Sequence, residues 1–117
     1  MVRDNPDPYL VFGVSPTATQ ADIKAGDDWL NAELPRIIDY TKSHDNAVIF
    51  ITWDEGDASN LIPFIAIGNH IKPGVSATVY SHSSLLKSVE EMFGVPVLAT
   101  VTGKNDFADM FVAGTFP

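Results

Sequence analysis

The sequence predicts an α/β domain, and three observations carry that prediction. Two stretches show the three- and four-residue apolar spacing of helices, about 26–43 and 81–94. Between them lie two short apolar runs, 47-AVIFITW-53 and 62-IPFIAIG-68, rich in β-branched residues. The order helix, strand, strand, helix belongs to folds that cover a sheet with helices. At 117 residues there is room for one such domain, and 1–117 is read as a single unit.

Residues 1–23 are rich in Pro, Asp, Ser and Thr and read as an irregular arm, with one apolar patch at 9-YLVFGV-14. The first helix is expected from about Gly26 to Ser43, its inner face formed by Trp29, Leu30, Leu34, Ile37, Ile38 and Thr41. Asp27 and Asp28 would then stand at its start, where carboxylates accept unpaired N–H groups and suit the dipole. Pro35 should kink or divide it. After the turn 44-HDN-46, Ala47–Trp53 reads as a strand covered on both faces. The turn 72-KPG-74 separates the second run from 76-SATVY-80, read as an edge strand or extended segment. In the last helix Leu85, Leu86, Val89, Met92 and Phe93 form the expected buried stripe, and Gly94 with Pro96 ends it. A helical turn is expected near 106-DFADMF-111.

Composition excludes several classes of function. The net charge of −8 repels a polyanion, and no Lys/Arg stripe offers an exception, so nucleic acid is not an expected partner. No apolar run reaches the roughly 20 residues of a membrane helix, and MVRDNPDPYL has no apolar leader region. Without cysteine there is neither disulfide nor thiolate site.

The chemistry-bearing candidates cluster at element ends. α/β sheets place ligands beyond the carboxyl ends of their strands, and β-type residues 47–53 run directly into Asp54, Glu55 and Asp57. Adjacent carboxylates can hold a divalent cation through oxygen, with Gly56 giving the bend that lets both reach one ion; DEGD is equally an ordinary acidic turn. His82, flanked by Ser81, Ser83 and Ser84, is a candidate ligand or proton-transfer group, or a plain helix-start residue. His44 and His70 read as solvated. Ser83 and Ser84 lack any nucleophile motif.

Four blocks in order carry a resemblance: GDDWLNAELPRII, AVIFITWDEGD, IPFIAIGNHIKPG and YSHSSLLKSVEEMFGVP. Together, over about residues 24–112, they resemble the C-terminal portion of the bacterial phosphoesterase family, which includes acid phosphatases and phospholipase C-type enzymes with an alkaline phosphatase-like fold. The resemblance implies metal-assisted hydrolysis of phosphate esters, with a divalent ion of unspecified identity and a small molecule or lipid head group as substrate. It implies Asp54 and Glu55 as metal ligands, His82 as a catalytic ligand or phosphate contact, and Asp27 as a supporting residue near the site. It implies export from the cell. The family's nucleophile and remaining ligands lie in an N-terminal half with no counterpart here, so this chain is expected to hold part of a site. Apolar surface would then be covered by that half or by a second copy. The alternative is an α/β module without chemistry, acting in binding or assembly.

Overall fold

A computed structural model describes residues 20–55 and 59–117. The elements run helix, strand, strand, helix, a partial α/β order: α1 (Gln20–Ser43), β1 (Val48–Thr52), β2 (Phe64–Gly68), α2 (His82–Met92), and a 3₁₀ turn at Ala108–Met110. The chain divides into two compact units, Met1–Ile67 and Gly68–Pro117.

In the first unit α1 packs against β1, and β1 pairs with β2 in an antiparallel ribbon. The Thr52 hydroxyl donates to the Pro63 carbonyl at 3.0 Å, and the Phe50 and Phe64 rings meet at 5.4 Å. Among the described residues each strand has one neighbour. All five residues of β1 stay half-buried, so the strand is not covered on both faces as expected.

α1 begins at Gln20, six residues before the expected start. Asp27 and Asp28 therefore lie inside the helix and cap nothing; Asp28 instead pairs with Lys24 one turn back, at 2.6 Å. The acids satisfied a cap rule locally while the helix found earlier residues to extend through. Pro35 does not divide the element, and α1 runs through it. A proline here removes the bond to the carbonyl of Asn31, and both residues are exposed, so water can take the donor's place. The inner face is Leu30, Leu34, Ile38 and Thr41, whereas Trp29 and Ile37 fall outside it at 42% and 39% exposure. Thr41 is the buried member, its hydroxyl donating to the Ile38 carbonyl at 2.8 Å. Tyr40 stacks on His44 at 3.8 Å, which ties that exposed histidine to the helix end.

The second unit holds the buried apolar side chains of the described residues: Val101, Phe107 and Phe111. Phe107 meets α2 at Ser88, along a seam that the apolar pattern missed, while Phe111 pairs with Ile71 and its ring meets Phe116 at 5.1 Å. Ser84 and Ser88 are the buried residues of that face, with 2% and 0% exposure, while Leu86 and Phe93 stand open at 42% and 78%. Small side chains let the loop approach closely, and the serine hydroxyl supplies what the loop needs. Ser88 Oγ accepts the Phe107 N–H at 2.9 Å and donates to the Ser84 carbonyl at 2.8 Å. The Tyr80 ring meets Phe107 edge-on at 5.0 Å, a favourable quadrupole arrangement. Lys87 bridges helix and loop, donating to the Lys104 carbonyl at 2.9 Å and facing Asp106 at 3.4 Å.

α2 ends as expected. Gly94 has φ +64°, its N–H donates to the Glu91 carbonyl and the Val95 N–H to Glu90, both at 3.0 Å. This closes the last turn as a Schellman motif. An added Cβ at Gly94 would meet nothing within 4 Å, so Gly94→Ala carries backbone strain alone. The expected cost is about 1–2 kcal/mol in equilibrium unfolding; an unchanged midpoint would mean the cap does not hold α2.

Residues 76–80 form no strand. Their alternation is real, but its partner is one carboxylate: Ser76 Oγ and Thr78 Oγ1 each donate to Asp109 Oδ2 at 2.7 Å, and the Tyr80 hydroxyl donates to Asp109 Oδ1. The expected turn near 106–111 is present as the 3₁₀ element that carries Asp109. Residues 1–19, including the 9–14 patch, lie outside the described residues.

Candidate active site

In the first unit, the apolar residues of β1 end at Thr52 and release the chain into Trp53, Asp54 and Glu55. Both carboxylates are exposed. The Glu55 N–H donates to Asp54 Oδ1 at 3.0 Å, so the backbone step that follows the strand also orients the Asp54 carboxylate. Gly56 and Asp57, the rest of the acidic turn, lie outside the described residues. Asp27 is exposed on α1, the helix packed against β1.

In the second unit, His82 is the first residue of α2 and is exposed. Ser81 is the N-cap in extended conformation, and its N–H donates to Ser84 Oγ at 3.2 Å. Ser84 thus takes the reciprocal role that an acidic residue fills in a capping box. Its burial and this bond make it a structural hydroxyl. His82 therefore stands at the positive end of the helix dipole, where a negatively charged group is favoured.

As metal donors, Asp54 and Glu55 have the right chemistry: exposed carboxylate oxygens suit hard divalent cations. They do not have the number. Among the described residues no three His, Asp or Glu side chains gather closely enough to hold an ion. The acid pair can form part of a coordination sphere, and a complete one needs ligands from elsewhere.

Sequence reasoning missed Asp109 and its three hydroxyl donors. The alternating hydroxyls at 76, 78 and 80 were visible, but an acceptor about thirty residues downstream leaves no local signal.

Residues 16–96 match the Phosphoesterase family, a span that includes Asp27, Asp54, Glu55 and His82. The chain belongs to the phosphoesterase family. It is also 33% identical over 91 residues to a phosphatidylinositol-3-phosphatase of Mycobacterium tuberculosis. That alignment covers 76% of this chain and 30% of the relative, so this phosphoesterase chain corresponds to under a third of that protein. No solved structure matches it. Among the described residues no helix is long and apolar enough to cross a membrane.

Proposed function

We propose that this chain serves in the hydrolysis of phosphate esters, with a phosphorylated lipid head group or a small phosphate monoester as substrate, and that Asp54, Glu55 and His82 are the residues it contributes. The observation that carries this reading is the family match over residues 16–96, which includes an acid pair directly beyond the end of β1. The phosphatidylinositol-3-phosphatase relative supports the substrate class.

In this reading Asp54 offers a carboxylate oxygen held in orientation by the Glu55 N–H, and Glu55 adds a second acidic donor beside it. His82 offers a ring N–H to a non-bridging phosphate oxygen, aided by the α2 dipole. A divalent cation, when bound by Asp54 together with ligands from elsewhere, neutralises charge on the transferring group and lowers the pKa of an attacking oxygen. Asp27 supports the site from α1.

The test is hydrolysis of a chromogenic phosphate monoester and a diester by the longest natural chain containing this segment, with Zn²⁺, Mn²⁺, Ca²⁺ and Mg²⁺ each added. Asp54→Ala is expected to lower kcat/KM by about 10²–10³-fold. Because Asp54 is exposed, stability should change by less than about 0.5 kcal/mol. Inactivity of the unsubstituted protein with every metal defeats the proposal. A second reading, a scaffold acting in binding or assembly alone, draws on the lack of a three-ligand cluster among the described residues. It requires that metal affinity be the same in Asp54→Ala.

A further inference from the structure

We infer that Asp109 is a positioning residue for His82, acting through the hydroxyl latch it holds on residues 76–80. This rests on the reading of His82 as a phosphate contact.

The segment bends at Thr78, where the Thr78 N–H donates to Ser76 Oγ at 3.1 Å, and the bend lets alternate hydroxyls converge on one carboxylate. Ser76, Thr78 and Tyr80 turn one way, onto Asp109. Val75 and Val79 turn away and stand 99% and 82% exposed. Among the described residues the segment pairs with no strand, and the Tyr80 ring on Phe107 is its recorded aromatic contact. Its path is therefore set by polar bonds: the three hydroxyls on Asp109 and the Asn105 side-chain amide on the Val79 carbonyl, at 2.9 Å. His82 follows Tyr80 by two residues, across the Ser81 cap.

The other end of the latch is tied to buried residues. Asp109 sits in a 3₁₀ turn between Phe107 and Phe111, which are 1% and 6% exposed. The Lys72 N–H donates to the Met110 carbonyl at 2.8 Å. The carboxylate is thus referenced to the core, and it hands that reference to the chain entering α2.

A carboxylate suits this task because it is acceptor-only and offers about four lone-pair positions. Asparagine keeps one oxygen and turns an NH₂ group toward hydroxyl donors. Partial desolvation pushes the pKa of the exposed Asp109 up, but the bonds from Tyr80, Ser76 and Thr78 and the charge of Lys72 outweigh it, leaving the pKa below the ordinary carboxylate value. A lowered folded pKa means the latch is complete above the ordinary carboxylate range and is lost as pH falls through the lowered value. At neutral pH it is fully formed.

The experiment titrates inorganic phosphate into the full chain at neutral pH, read by the backbone amide shifts of Ser83 and Ser84. It compares the unsubstituted protein with Asp109→Asn, His82→Ala and the double variant. Asp109→Asn is expected to weaken phosphate binding by about tenfold, the effect of losing one or more charge-assisted bonds. His82→Ala should weaken it at least as much, and the double variant should bind no more weakly than His82→Ala alone. Weakening by Asp109→Asn that persists in the His82→Ala background overturns the inference, since Asp109 would then serve the fold at large. Weakening in His82→Ala with none in Asp109→Asn overturns it while leaving the role of His82 intact. Unchanged affinity in His82→Ala, or no phosphate binding at all, removes both. Tyr80→Phe keeps the ring on Phe107 and deletes one bond, so it carries the same cycle should Asp109→Asn fail to fold.

Discussion

Phe107→Ala is expected to destabilise the second unit by about 3–5 kcal/mol, the usual cost of emptying a buried aromatic site. Phe107 is 1% exposed, its ring takes the edge-on contact with Tyr80, and its N–H is satisfied by Ser88. A chain of this size has a total stability on the order of 5–15 kcal/mol. The loss is therefore a large share of what holds the unit together. It should also loosen Tyr80, and through it the latch that leads to His82. Urea unfolding followed by the amide signals of α2 would measure it. A loss under about 1 kcal/mol would show that the neighbouring chain collapses into the space and that Phe107 is not the keystone.

Ser88→Leu is the second large effect, and it acts from the opposite side of the same contact. Ser88 is fully buried and its hydroxyl works in both directions, toward Phe107 and toward Ser84. Leucine forces extra volume into a closed seam, at about 1–3 kcal/mol. It also strips the acceptor from a buried N–H, at about 1–3 kcal/mol more. The expected total is about 2–6 kcal/mol in denaturant unfolding. Ser88→Ala separates the two terms, since it removes only the acceptor. Should leucine prove neutral there, the serine seam would not be the tight interface described.

These two residues also mark what the sequence could reveal. The strands were legible because Val48–Thr52 and Phe64–Gly68 carry no charge and are rich in Val, Ile and Phe. The end of α2 was legible because Gly94 is a local signal for a left-handed residue. The inner face of α2 was not. Counting apolar side chains favours Leu86 and Phe93, whereas the seam is chosen by size and by a hydroxyl that the loop needs. The start of α1 was misplaced for a related reason: Asp27 and Asp28 fit a cap by type, and nothing local says that Gln20–Ile23 continue the helix.

For the candidate site, position was legible and assembly was not. Asp54 and Glu55 do follow β1, and His82 does open α2. Whether carboxylates from different parts of a chain meet depends on tertiary placement that no local spacing encodes. Asp109 shows the same limit, since its three partners lie about thirty residues upstream.

The β1–β2 ribbon has a consequence for handling and for substitution. Val-Ile-Phe-Ile-Thr is uncharged, free of Pro and Gly, and part-exposed, which is the composition of a segment that stacks into cross-β fibrils. What stands beside it is acid: Asp45 precedes it and Asp54 and Glu55 follow. In stacked copies those like charges would recur every 4.7–4.8 Å or so, an arrangement that opposes fibril growth. The acid pair that suits a cation is thereby also a gatekeeper, and variants that neutralise both acids trade a ligand question for a solubility one.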